Sequence, residues 1–294
     1  MSFDNVYEAI TEENDDARWA YGTGFADPMA GVDTALPAGV DGADLAAYCL
    51  MLGDDALVMS HRLQEWCSRA PELEDEVALA NIALDLLGQA RLLLSRAGQA
   101  DGSGRDEDAL AFLRDGGEFR NVRLVEAPKG DFAHSIVRLL AFATWRLALL
   151  SRLVTSADPV LAAIAGKGVK EVTYHRDYAA RWLIRLGDGT GVSHRRAAAA
   201  LEAVWPLVPE LFERHPVEAR LAAAGVAADP AGVRAEFDAV LDQVLDAATL
   251  VRPEVPPLPG VSGRTGRHGV HTEAHGYLLA EMQSVARAYP DATW

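Results

Sequence analysis

The sequence predicts an all-α bundle with additional helices at its C-terminal end. Three observations carry that expectation. Apolar residues recur every three or four positions over stretches of twenty residues and more. Those stretches are bounded by Asp, Pro and Gly where helices start and stop. No segment shows the two-residue alternation of a half-buried strand.

The first helix is expected to begin near Asp44, whose carboxylate can accept from the free N–H groups of a first turn. Leu45, Tyr48, Leu52, Ala56, Met59, Leu63 and Trp66 form its stripe, and Pro71 closes it. A second helix is expected from Glu72 to about Ala97, with Leu73, Val77, Ala80, Leu84, Leu87 and Leu94 on its apolar side. The acidic first turn (Glu72, Glu74, Asp75, Glu76) suits the positive end of the helix dipole. After the polar loop AGQADGSGRDED and the turn Pro128-Lys129-Gly130, a third helix runs from Asp131 to about Ser156. Its stripe is Phe132, Ile136, Leu139, Ala143, Leu147, Leu150 and Val154. Asp158-Pro159, a cap followed by proline at the first helical position, opens a fourth helix that ends at Gly187-Asp188-Gly189. Pro206 and Pro209 must bend or divide a helical segment over 193–224. A further helix follows Asp229-Pro230 to about Leu250. The linker VRPEVPPLPG leads to a last one near Thr272–Ala288.

Residues 1–42 precede this body as an acidic, Gly-, Ala- and Pro-rich stretch with Arg18 as its only strong base. They read as a flexible or surface-draped extension that Trp19, Tyr21 and Phe25 could anchor, with 43–294 as the folded domain.

A net charge of −16 and a pI of about 4.9 set the chain against nucleic acid and against an anionic membrane surface. No uninterrupted apolar run reaches the ~20 residues of a membrane span, and the first residues lack the regions of a signal peptide, so a cytoplasmic location is expected. Cys49 and Cys67 both fall on the first predicted helix, about 27 Å apart at 1.5 Å per residue, too far to bond. They are read as small core residues in a reducing compartment.

A bundle of long helices raises the chemistry of a di-iron carboxylate centre. Such a site needs a Glu from each of two helices and a Glu-x-x-His pair from each of two others. The three-residue step puts both ligands on one face, where hard iron meets carboxylate oxygen and imidazole nitrogen. None of the eight histidines has a Glu three positions before it. Asp131 stands at that spacing before His134, but as the residue that starts a helix its simpler role is a cap. From Phe132 to Ala157 there is no Asp or Glu at all. A helix without a carboxylate cannot supply its share of ligands.

Polar groups nevertheless fall on apolar faces. In the fourth helix Val160, Ile164, Glu171, Tyr178 and Trp182 share an arc, with Lys167 and His175 at its edges. A buried carboxylate must be paired, and a Lys167–Glu171–His175 cluster would satisfy it without metal. Breaking a buried Lys167–Glu171 pair would cost roughly 3–5 kcal/mol. In the second helix Asn81, Asp85 and Gln89 recur at four-residue steps and either reach toward Glu171 or face outward. His61 and Glu65 lie opposite the first helix's stripe and read as surface or interface groups. His268, His271 and His275 sit in a glycine-broken segment beside Arg264 and Arg267. That context suits docking or a helix start better than a metal. The alternative is a self-sufficient di-iron or di-manganese oxidase with an irregular ligand set drawn from Glu65, Asp85, Glu171 and His175.

Four blocks then carry a resemblance over about residues 45–294. They are LGDDALVMSHRLQEWCSRAPELEDEVALANIALDLLGQAR at 52–91, FLRDGGEFRNVRLVEAPKGDFA at 112–133, KGVKEVTYHRDYAARWLIRLGDGT at 167–190 and GVHTEAHGYLLAEMQ at 269–283. In that order they resemble the C subunits of bacterial phenylacetyl-CoA ring 1,2-epoxidases. The resemblance implies a ferritin-like helical bundle with additional C-terminal helices. It also implies a structural, non-catalytic subunit paired with a homologous A subunit that carries the di-iron centre and binds the acyl-CoA. A small bridging subunit and a reductase with FAD, a 2Fe-2S cluster and NADPH would complete the monooxygenase of aerobic phenylacetate degradation. No catalytic, cofactor-binding or metal-ligating residue follows for this chain. Lys167, Glu171, His175, Asn81 and Asp85 are left as a vestigial polar cluster in the bundle interior.

Overall fold

A computed structural model describes Met29, residues 31–290 and Ala292. The regular structure of the described residues is helical. Their one β feature is an isolated bridge between Val261 and Arg264. Four long helices form the bundle: α1 (Gly42–Gln64), α2 (Leu73–Ala100), α4 (Phe132–Leu153) and α5 (Pro159–Gly187). A short α3 (Glu107–Phe112) precedes α4. The C-terminal third adds α6 (Gly191–Val204), α7 (Pro216–Ala223), α8 (Arg234–Ala247) and α9 (Glu273–Ala288).

The local chemistry sets most of these boundaries. Asp131 and Asp158 cap α4 and α5, accepting from His134 N–H and Leu161 N–H at 3.0 and 2.8 Å, and Pro159 stands at the first helical position as expected. The chain between α6 and α7 breaks into two 3-10 turns at Pro206 and Pro209, where the helix loses its donors. The cap of α1 differs from the sequence expectation. Asp41, not Asp44, caps it, accepting from Ala43 N–H at 2.7 Å, so the helix starts at Gly42. Asp44 pairs instead with Arg220 of α7 at 2.6 Å. Because α1 ends at Gln64, Cys67 lies beyond it and is exposed, and only Cys49 is a core residue.

Two helices are buried around their whole circumference. α4 has eighteen buried residues of twenty-two, including Arg138, Thr144, Trp145 and Arg146, so its single predicted stripe understates its role. α1 is covered likewise, with Asp54 and Asp55 fully buried. The C-terminal elements make this possible by closing over the side of α1 that a four-helix bundle would leave to water.

α2 departs from its expected orientation over its first half, while Leu94 of the expected stripe is in the core and Leu87 packs against it. Its core face is Leu79, Ile82, Ala83, Leu86, Ala90, Leu93 and Leu94, whereas Leu73, Val77 and Leu84 point outward. The helix is apolar on two opposite faces. By length and composition it could cross a membrane, yet its inner face is packed on α1 and α5 and it anchors the buried Arg96–Asp158 pair.

Of the predicted extension only the last part is described. Residues near Thr34 and Ala35 lie against the bundle, their carbonyls accepting from Arg96. Trp19, Tyr21 and Phe25 fall outside the described residues.

Candidate functional site

The candidate site is the polar interior where α1, α2, α4 and α5 meet. Its centre is Arg146 of α4, which is 1 % exposed. Its Nε donates to Gln89 Oε1 at 2.9 Å, and Nη1 donates to the Leu52 carbonyl at 3.2 Å. Gln89 Nε2 donates onward to Glu171 Oε2 at 2.8 Å, and Lys167 Nζ stands 3.5 Å from the other oxygen of Glu171. One chain of contacts thus runs from Lys167 through Glu171 and Gln89 to Arg146 and the backbone of α1. Gly168 makes room for it. A Cβ there would come within 2.9 Å of Leu150 and 3.4 Å of the Gln89 amide. Burial pushes the Arg146 guanidinium down to about 10, against the pull of Asp55 and Glu171, so it stays cationic at neutral pH.

Asp85 and His175 form a separate contact. Asp85 Oδ2 lies 3.0 Å from His175 Nε2, with the histidine buried and the carboxylate more than a third exposed. His175, placed at the edge of the α5 arc by sequence, is therefore at its centre, and Glu171, Tyr178 and Trp182 are at the edge. Asn81 is exposed and takes no part. Nearer the start of α2, buried Asp75 accepts from Tyr178 Oη and Trp182 Nε1, both at 2.9 Å. Burial, and then that hydrogen bond, pushes the Tyr178 phenol up. Glu65 is occupied by Arg62 at 2.7 Å, and His61 is half-buried.

Sequence reasoning missed a second polar layer, on α1. Asp54 binds Arg114 and accepts from Arg120 N–H at 2.8 Å. Asp55 binds Arg267 at 2.8 Å and accepts from Val122 N–H at 2.8 Å. Burial raises the Asp55 carboxyl more than Arg267 lowers it. The available signal was a pair of aspartates set inside the apolar run CLMLGDDALVM, since such a pair needs buried cations from elsewhere in the chain. Those cations are Arg114 and Arg267, 60 and 212 residues away.

The histidine-rich segment closes the same layer. His271 stacks on His275 with ring centroids 4.1 Å apart, and His271 Nδ1 lies 2.6 Å from Glu126 Oε1. Thr272 N–H donates to the other Glu126 oxygen at 2.7 Å at the start of α9. These residues dock the C-terminal helix and begin it.

The interior does not fit a di-iron group. Among the described residues no three His, Cys, Asp or Glu side chains converge as ligands, and Glu65, Asp85, Glu171 and His175 are spread over three separate contacts. A fixed guanidinium stands beside Glu171 and Asp55, where it would repel a cation pair. The geometry can balance buried carboxylates with amide and guanidinium donors, and it can position helices.

Residues 33–294 match the family described as phenylacetic acid catabolic protein. The chain is also 46% identical over 251 residues to the C subunit of the 1,2-phenylacetyl-CoA epoxidase of Escherichia coli (strain K12). That match covers 85% of this chain and 99% of the relative. The all-helical bundle, the match over nearly all of the described residues and the level of identity agree: this chain belongs to the phenylacetic acid catabolic protein family, and its fold is the family's ferritin-like bundle.

Proposed function

We propose that this chain is the structural, non-catalytic subunit of a ring 1,2-phenylacetyl-CoA epoxidase. In that complex it supports a homologous di-iron catalytic subunit. FAD, a 2Fe-2S cluster and NADPH belong to the reductase component, and the assembly is completed by a small bridging subunit. The relative named above is itself one subunit of such an epoxidase, which supports a multi-subunit setting. The observation that carries the reading is Arg146. An arginine on the helix that lacks carboxylates supplies, from within the chain, the positive charge that an oxygenase subunit would draw from metal.

The test is reconstitution with metal analysis. The chain and the di-iron subunit are expressed with iron, separately and together. Iron is expected near stoichiometry in the catalytic subunit and far below it in this chain, with a stable complex and epoxidation of phenylacetyl-CoA when both are present. Near-stoichiometric iron in this chain alone, with an oxo-bridge absorption band, would overturn the reading. So would a catalytic subunit that is fully active without it.

A further inference from the structure

A basic corner lies where the start of α7 meets the 3-10 turns Gly116–Glu118 and Gly266–His268. His215, which caps α7, and His268 stand there with ring centroids 4.8 Å apart. Nδ1 of each accepts a backbone N–H, from Val217 at 3.3 Å and from Thr265 at 3.4 Å. An imidazole that accepts at Nδ1 carries its proton on Nε2, so both rings present an Nε2–H donor. Two guanidiniums join them. Arg264 Nη2 donates to the His268 carbonyl at 2.8 Å. Arg120 Nη1 donates to the Gly117 and Phe119 carbonyls at 2.8 and 2.9 Å. That leaves Nε–H and Nη2–H of Arg120, the parallel edge that takes two oxygens of one anion. Among the described residues these donors and both Nε2–H groups have no partner, and none is sealed from solvent. Gly269 lets Arg120 come in. Its φ is +74°, and a Cβ there would stand 2.8 Å from Arg120 Nη1 and 2.2 Å from the Gly117 oxygen.

The charge at this corner is unbalanced, although the whole chain carries −16. The nearby carboxylates are already engaged. Asp44 holds Arg220, Asp54 holds Arg114 and Asp55 holds Arg267. Glu218 accepts from His215 N–H at 2.9 Å, and Glu118 accepts from Asp115 N–H at 2.7 Å. Among the described residues neither Arg120 nor Arg264 has a carboxylate as ion-pair partner. The positive field is felt by the groups inside it. Burial, and then Arg114 and Arg264, lower the Arg120 guanidinium against the pull of Asp54 and Glu118. Burial, and then His268, Arg267, Arg120 and Arg220, hold His215 down to about 4. We propose that this corner binds a phosphate group, whose oxygens accept from Arg120, Arg264 and the two imidazole Nε2–H groups. A phosphate monoester near neutral pH carries about −2 and three strong acceptor oxygens. It matches the two unpaired guanidiniums in charge and reaches all four side chains. A carboxylate, with one charge and two oxygens, would leave one guanidinium unmatched.

The proposal stands apart from the assignment to an epoxidase and is tested on the full chain alone. Proton–nitrogen correlation spectra of histidine-labelled protein should show His215 and His268 as Nε2–H tautomers. Inorganic phosphate should move both sets of resonances. His194, whose Nδ1–H donates to the Gly187 carbonyl at 2.7 Å, should show the other tautomer and stay unmoved. In calorimetric titrations Arg120→Gln and Arg264→Gln should each weaken phosphate binding about tenfold or more. Arg196→Gln, an exposed arginine on α6, should leave it unchanged. Arg264 is exposed and makes one hydrogen bond, so Arg264→Gln should keep the wild-type circular dichroism spectrum even if Arg120→Gln misfolds. Adenosine 3′,5′-bisphosphate separates the sources of the phosphate. Tighter binding than inorganic phosphate supports a nucleotide-borne group, and equal or weaker binding supports free phosphate. Three results would each overturn the proposal: histidine resonances unmoved up to about 10 mM phosphate, full affinity in Arg264→Gln, or acetate bound as tightly as phosphate.

Discussion

Glu171 offers the sharpest test of how the bundle interior is held. As a buried pair with Lys167, its loss would be worth roughly 3–5 kcal/mol, the usual cost of stranding one member of a buried ion pair. The geometry redistributes that figure. The Lys167 side chain is 34 % exposed and its ammonium sits 3.5 Å from the carboxylate, so water screens much of the attraction. A pair of this kind couples by about 0.2–1 kcal/mol. Gln89 is the stronger partner, because its amide is buried and its Nε2 donates to Glu171 at 2.8 Å while its oxygen holds Arg146. Removing the acceptor leaves that N–H unsatisfied in the core at about 1–3 kcal/mol. Glu171→Ala should therefore cost about 2 kcal/mol, less than a buried ion pair would. In double-mutant cycles its coupling to Gln89→Leu should exceed its coupling to Lys167→Met by at least about 1 kcal/mol. The assay is urea unfolding of the four variants of each cycle, with shared slopes. A Lys167 coupling as large as the Gln89 coupling, or a Glu171→Ala loss near 5 kcal/mol, would refute the reasoning.

Three further outcomes rest on other buried groups. Asp55→Ala strands Arg267 in the core and should destabilise the fold by about 3–5 kcal/mol in urea unfolding, with a large part recovered by adding Arg267→Met. Burial holds His275 of α9 and His215, the residue that caps α7, down to about 4, so their unfolded forms bind protons that the folded forms refuse. That stability is fully present above pH 6.5 and is lost as pH falls toward 4. The Tm should drop across this window, and less steeply in His275→Gln. Native protein should react with a thiol reagent at Cys67 alone. Burial raises the Cys49 thiol and shields it, so a second equivalent should appear only on unfolding.

Much of the architecture was legible because it is written in local chemistry. Asp131, Asp158-Pro159 and the prolines at 206 and 209 act within a turn of themselves, and each does what its position dictates. Asp41 and Asp44 show the limit of that reading. Either could cap the helix, and Arg220, 176 residues on, takes one of them. The orientation of α2 failed for a different reason. Periodicity finds apolar stripes, but a helix with two of them does not say which is inside. The absence of a carboxylate in α4 was plain from sequence, yet the meaning of Arg146 was not, since an arginine in a helix is ordinarily a surface group that snorkels to water. The Lys167–Glu171 neighbourhood followed from helical spacing, whereas Gln89 joining it and Asp85 turning to His175 depend on how α2 lies across α5.

The segment around Arg267 has a consequence for how the molecule comes to be built. Its guanidinium reaches across the molecule to the Met51 and Arg120 carbonyls and to Asp55, deep in α1. Until Arg267 has been synthesised, Asp55 lacks the guanidinium that binds it directly, and Arg146 acts on it only from a distance. α1 and the segment around Arg267 must therefore settle together, and a nascent chain stopped before Arg267 is a client for chaperones rather than a smaller folded protein.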